Sequence, residues 1–353
     1  MALSVAVYFV WTIFFMLTIL DRLPDGLLDL DADQLFAVLK QPTLIHLQGD
    51  RQPSLFVSIL LHGNETTSWL AMRELLRKYQ NYNQNQRLPR SLSLFIGNVE
   101  AAQQRQRHLA HQPDYNRIWQ MSPQPLPEQI MAQQVIAAMR SRGVFASIDI
   151  HNNTGRNPHY GCITRLDRDS LQLARLFDRN VVYYTSPKTV QSFAFGEFCP
   201  AIVVECGQPD LPDGTAHALA YVETCLNLES FANLPESAIA DINLFHTVAI
   251  VKIPPELNFS FCANPNDDIT FPAAMDELNF CELPIGTTFG KVKTENAYLL
   301  AIGEDGVEKS ERFFAIQDGE IILKKSVMPS MLTLNEAIVR QDCLCYLMER
   351  LTS

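Results

Sequence analysis

Clustered basic charge is missing from this 353-residue chain: 28 Lys and Arg face 39 Asp and Glu, a formal net charge of −11. Binding to nucleic acid needs Lys and Arg grouped against phosphates, so this balance argues against a general nucleic-acid binder. It leaves room for an anionic small substrate, because one arginine in a pocket overrides the global charge. CxxC pairs are missing too. The eight cysteines (Cys162, Cys199, Cys206, Cys225, Cys262, Cys281, Cys343 and Cys345) lack the density of a disulfide-stapled secreted domain. They predict reduced, mostly buried thiols in a cytosol-like compartment. No internal repeat and no low-complexity tract interrupts the chain.

Charge is also absent from the first 20 residues, MALSVAVYFVWTIFFMLTIL, a stretch long enough to span a bilayer. No Lys or Arg precedes it and no small-residue cleavage site follows it, which argues against a cleaved signal peptide. Two readings remain. Either 1–20 is an uncleaved anchor that makes the protein membrane-associated, or translation starts at Met16. The second leaves MLTILDRLPDGLL as an ordinary apolar beginning of a cytoplasmic protein.

What is there describes a globular protein, 47% apolar and 19% charged, with enough length for one large domain or two ordinary ones. LDADQLFAVLK (30–40) reads as a helix with an acidic start. TLIHLQG (43–49), SLFVSILLH (54–62), SLSLFIGN (91–98), VFASIDIH (144–151), NVVYYT (180–185) and AIVVE (201–205) read as buried strands. WLAMRELLRKY (69–79), PEQIMAQQVIAAMRSRG (127–143) and AHALAYVETCLNLESFA (216–232) read as helices. Strands alternating with helices predict an α/β fold, a mostly parallel or mixed sheet covered on both faces. From about residue 240 short strand-like pieces punctuated by Gly, Asp and Pro predict a smaller β-rich domain. The expected organisation is therefore an apolar segment 1–20, a catalytic domain 21–240 and a β-rich domain 241–353.

Three predicted strands end in an ionisable residue, His62, His151 and Glu205, and sites in open α/β sheets collect at the carboxyl ends of strands. His62 and Glu65 in HGNE, with His151, supply two imidazoles and one carboxylate. That set suits Zn²⁺, one ion per chain, with a fourth position left for water. Asp149, two residues before His151, points to the same side of its strand. It either orients a ligand or helps close the strand. Glu205 reads as a general base or as a structural ion-pair partner.

HGNET (62–66), DIHNNTG (149–155) and VVECG (203–207), in this order, resemble the succinylglutamate desuccinylase and aspartoacylase family, relatives of the zinc carboxypeptidases. The likeness covers roughly residues 43–230, with a similar β-rich C-terminal appendage. It implies a carboxypeptidase-like mixed sheet flanked by helices. It also implies zinc on His62, Glu65 and His151, and catalysis by Glu205. Asp114-Tyr115-Asn116-Arg117 resembles the family's D-x-N-R motif, so Asn116 and Arg117 are expected to bind a substrate carboxylate. Arg107 is the nearest match to an upstream arginine that polarises the scissile carbonyl, with Arg105 competing. HNNTG resembles a pocket-lining segment, which brings in Asn152 and Thr154, and Gly155 for a tight turn. One departure bears on substrate. Aspartoacylases carry an arginine ahead of the catalytic glutamate, and QSFAFGEFCP (191–200) has none; Lys188 and Arg156 are the remaining candidates.

The resulting expectation is a zinc-dependent hydrolase that cleaves the amide of a small, carboxylate-bearing N-acyl amino acid or related compound. A metallocarboxypeptidase acting on peptides or cell-wall fragments uses the same ligands and base. A C-terminal domain that roofs the pocket would favour the former and an open groove the latter. A non-catalytic binding module on the same fold is the third reading. The oligomeric state, monomer or homo-oligomer, stays open.

Overall fold

The computed structural model describes residues 16–81, 87–262, 267–294 and 296–351. Nine strands build most of a 12-stranded mixed sheet: β1 (Thr18–Leu20), β2 (Thr43–Leu47), β3 (Ser54–Ile59), β4 (Leu92–Ile96), β5 (Val144–His151), β6 (Tyr160–Ile163), β7 (Asn180–Tyr183), β8 (Ala201–Glu205) and β9 (Asn243–Lys252). Their order across the sheet is β1-β2-β4-β3-β5-β8-β6-β7-β9. The central pairs β4·β3, β3·β5 and β5·β8 are parallel, and β6 runs antiparallel to β8. The central runs SLFVSI and AIVVE are buried at every position, the pattern of strands covered on both faces.

Alternation along the strands decides what each face carries. Leu55, Val57, Ile59, Ile148, Ile150, Ile202 and Val204 point into one core, under the helices Thr67–Asn81 and Pro212–Asn227. Phe56 and Ala201 pack on the opposite face with the helix Pro127–Arg142, through Met131, Val135 and Met139. Asp149 and His151 alternate with Ile148 and Ile150, so they too leave the first core and face the second side.

Residues 1–15 of the apolar N-terminal segment lie outside the described residues, while Thr18–Leu20 forms β1, parallel to β2. Among the described residues no helix is long and apolar enough to cross a membrane. The helix expected over 30–40 is two short pieces, Ala32–Gln34 and Phe36–Leu39, ended by Lys40 at φ 62°. The last helix of the region begins at Pro212 and stops at Asn227, earlier than 216–232 at both ends; proline suits a first turn whose N–H groups have no helical acceptor.

The C-terminal stretch divides between two sheets. Five short strands (Phe259–Ser260, Ile269–Thr270, Thr288–Val292, Phe314–Gln317 and Glu320–Leu323) form the smaller sheet, with Phe271, Phe289, Phe313 and Leu323 in its core. The remainder extends the large sheet. β9 pairs parallel with β7, Cys345–Arg350 lies along the other edge of β9, and Met328–Ser330 follows. The boundary expected at residue 240 thus falls just before a strand that continues the catalytic sheet.

Candidate metal centre and active site

β3 does not reach His62. It stops at Ile59, and Leu60 at φ 52° turns the chain out of the sheet. His62 and Glu65 therefore sit in the turn beyond the strand, just before the helix Thr67–Asn81, whereas His151 is the last residue of β5 and Glu205 the last of β8. All four side chains are buried.

The turn and the strand end meet at Glu65. Its Oε1 lies 2.7 Å from His62 Nδ1 and its Oε2 lies 2.8 Å from His151 Nδ1. The ligand-type atoms of His62, Glu65 and His151 all lie within 4.8 Å of one another, a set that could hold a metal ion. The far nitrogens are engaged by two further carboxylates. His62 Nε2 is 3.0 Å from Asp114 Oδ1, and His151 Nε2 is 2.8 Å from Asp149 Oδ2. Ser58 donates to the other oxygen of Asp149 at 2.7 Å. A carboxylate behind each imidazole orients its ring, as carboxylates do behind metal-ligating histidines.

Charge points the same way. Burial disfavours the imidazolium of His151, yet Asp149 and Glu65 raise its pKa well above the usual value. Burial likewise works against charge on Glu65, yet His62 and His151 hold its carboxyl far below the ordinary range. Carboxylates around two buried imidazoles demand positive charge, which a divalent cation meets as well as protons do. Glu205 differs. Burial lifts its carboxyl to about 7, against the pull of His151 and with the push of Glu65. Asn153 Nδ2 lies 3.3 Å from its Oε2.

Residues 51–221 match the succinylglutamate desuccinylase/aspartoacylase catalytic domain. That match to the family's catalytic domain spans just under half of the chain. Members of the family are deacylases. Solved structures of the same fold include a succinylglutamate desuccinylase from Vibrio parahaemolyticus, 13% identical with a TM-score of 0.59, which covers 88% of this chain and 86% of that one. A second, from Chromobacterium violaceum, is 17% identical with a TM-score of 0.54 over 88% of this chain and 89% of that one. Murine aminoacylase 3 is 15% identical with a TM-score of 0.54 over 86% of this chain and 97% of that one. At these identities the likeness is one of fold. No curated protein matches the chain by sequence.

The other expected residues gather round one cavity, lined by Arg107, Asn116, Arg117, Asn152 and Thr154 together with His62, Glu65, His151 and Glu205. Arg107 is 12% exposed and grips Asp114 through Nε at 3.1 Å and Nη2 at 2.8 Å. Arg105 is 73% exposed and pairs with Asp33, away from the cavity. Asn116 Nδ2 lies 3.3 Å from His151 Nε2, and its Oδ1 accepts from the Gln191 N–H at 3.1 Å. Asn152 Nδ2 donates to the Gly207 carbonyl at 2.9 Å, and Thr154 Oγ1 lies 2.7 Å from Thr333 Oγ1. The buried Asn152 Oδ1 and Tyr160 hydroxyl have no hydrogen-bond partner among the described residues.

Neither candidate for the absent arginine takes its place. Arg156 is bound to Glu277 on the surface, and Lys188 lies over Phe193 beside a different hollow. The segment 191–200 instead supplies the helix Gln191–Gly196, which packs Phe195 into the core and fixes Asn116. The site also contains residues that sequence reasoning passed over. Asp114 joins His62 to Arg107; it stood inside a recognised motif without a role. Asp342, Tyr346 and Met331 line the cavity from the C-terminal stretch, and no local pattern marks them.

Proposed function

We propose that this chain is a zinc-dependent hydrolase that cleaves the amide bond of a small N-acyl amino acid or related compound. The observation that carries the reading is the juxtaposition of a His62–Glu65–His151 donor set with Glu205, all buried and all lining one cavity. Zinc held by those three residues supplies a Lewis acid and makes water a nucleophile near neutral pH.

The protein's own groups do the rest. Glu205 takes a proton from the attacking water and later delivers it to the leaving amine nitrogen. Burial holds that carboxyl above the ordinary range, which makes it a stronger proton acceptor than an exposed carboxylate. Arg107, held by Asp114, stabilises negative charge as it develops on the carbonyl oxygen. Arg117 and Asn116 hold a substrate carboxylate at the rim. Asn152 Oδ1, buried and free of a protein donor, accepts from the substrate, and Thr154 shapes the adjoining wall.

The same groups would serve a metallocarboxypeptidase. Met331, Ile338, Asp342 and Tyr346, all from the C-terminal stretch, line the cavity and take up room that an extended peptide would need, which favours the smaller substrate. A panel of acetyl-, succinyl- and aminoacyl-amino acids offered to zinc-loaded protein tests the reading, with peptide substrates in parallel. Turnover of peptides alone, or of neither class, would overturn it.

A further inference from the structure

The cations of the cavity are paired before any substrate enters. Arg107 gives Nε and Nη2 to Asp114 Oδ2, and its Nη2 also stands 3.3 Å from Asp342 Oδ2. Arg117 Nη2 stands 3.4 Å from Asp342 Oδ1, and its Nη1 donates to the Asn116 carbonyl at 2.9 Å. One carboxylate thus spans both guanidinium groups, an oxygen to each. Asp342 comes from the C-terminal stretch, directly after the helix Glu336–Gln341, while both arginines come from the connection between β4 and β5. It is 22% exposed and lines the cavity with them.

No lysine and no third arginine lines this cavity among the described residues. Away from the metal set and Glu205, the wall is largely apolar or aromatic, with Val182, Val190, Val203, Tyr160, Tyr184 and Tyr346. Arg117 is 31% exposed and touches Asp342 through one long contact, so it keeps donors for one incoming carboxylate. A second carboxylate would meet Asp342 instead of a cation. Like charges in a poorly solvated site repel strongly, and the ion pairs already made would have to be given up.

We infer that Asp342 is a specificity-determining residue that limits the site to acyl compounds with a single carboxylate and an apolar remainder, and turns dicarboxylates away. The inference rests on the reading of this cavity as the deacylase substrate site.

Hexanoate and adipate, a monoanion and a dianion of equal chain length, test it by calorimetry on zinc-loaded full-length protein at low ionic strength. Wild type should bind hexanoate at least about tenfold more tightly than adipate, the discrimination expected of one desolvated like-charge contact. Asp342→Asn, which removes the charge and keeps the shape, should tighten adipate about tenfold and change hexanoate far less. Equal or tighter adipate binding by wild type overturns the inference, as does an unchanged ratio in the variant or no hexanoate binding at all. Should the variant fold poorly, the wild-type comparison decides alone. Binding that follows the expected pattern without hydrolysis of any N-acyl amino acid would sink the deacylase reading and leave the charge assignment standing.

Discussion

His151 and Glu205 stand opposite each other at the last paired position of two neighbouring parallel strands, β5 and β8. Side chains at such positions project from the same face, so a candidate metal ligand and a candidate base are held side by side by backbone pairing and not by a loop. Glu205→Gln should therefore leave zinc content unchanged, because none of the three donors moves. It should lower kcat by at least about 100-fold, the usual contribution of a positioned base. Metal analysis beside steady-state rates checks both halves; full turnover in the variant would remove Glu205 from the mechanism.

The same carboxyl predicts a pH dependence with a definite sign. Folding raises Glu205 from 4.5 to about 7. Its charged form is disfavoured in the fold, so the metal-free protein should lose stability as pH rises from about 4.5 through 7. The loss approaches about 3 kcal/mol for one group with this displacement. Urea melts of metal-free wild type and Glu205→Gln at pH 5 and pH 8 isolate the effect, since His62 and His151 contribute to both. In the zinc-loaded enzyme the rate should climb along an acid limb centred below 7, because a nearby cation favours the carboxylate.

Asp149 and Asp114 make a third case. Each holds the far nitrogen of one candidate ligand, at 2.8 Å and 3.0 Å. Asp149→Asn should weaken zinc binding by about 10–100-fold while the fold persists, the usual effect of losing a carboxylate behind a ligating histidine. Competition with a chelator of known affinity measures it. Unaltered affinity would show that Asp149 only closes its strand, through Ser58.

How far all this could be read from residues alone differs from group to group. The strand runs and their alternation are local, so β5, β8 and the placement of His151 and Glu205 were legible, and HGNE was legible as a candidate ligand pair. The end of β3 was not: a left-handed Leu60 breaks the strand before His62, and leucine carries no warning of it. Asp342 lies 235 residues from Arg107, and no spacing rule links residues so far apart. The joining of β9 to β7 was equally hidden, since an alternating strand does not declare which edge it will pair with.

Gly155 gives a prediction about the roof. A Cβ added there would lie 1.7 Å from the Leu332 carbonyl oxygen, so the glycine is required by close approach of the C-terminal stretch. Gly155→Ala should cost roughly 1–3 kcal/mol, the scale of an overpacked contact. It should also disturb the 2.7 Å contact of Thr154 with Thr333. A thermal melt paired with substrate affinity tests it: a variant as stable as wild type would mean that the two segments can separate freely.

The cavity divides its labour along the chain. The candidate metal donors lie between residues 62 and 151 and the candidate base at 205, while other lining residues, Thr247, Ser330, Asp342 and Tyr346, come from further along the chain. Part of the cavity wall is thus written in a stretch of the gene apart from the candidate donors and base. Changes that accumulate there can reshape one side of the cavity while the donors and base stay untouched, which makes the C-terminal stretch one place to graft or evolve a new specificity.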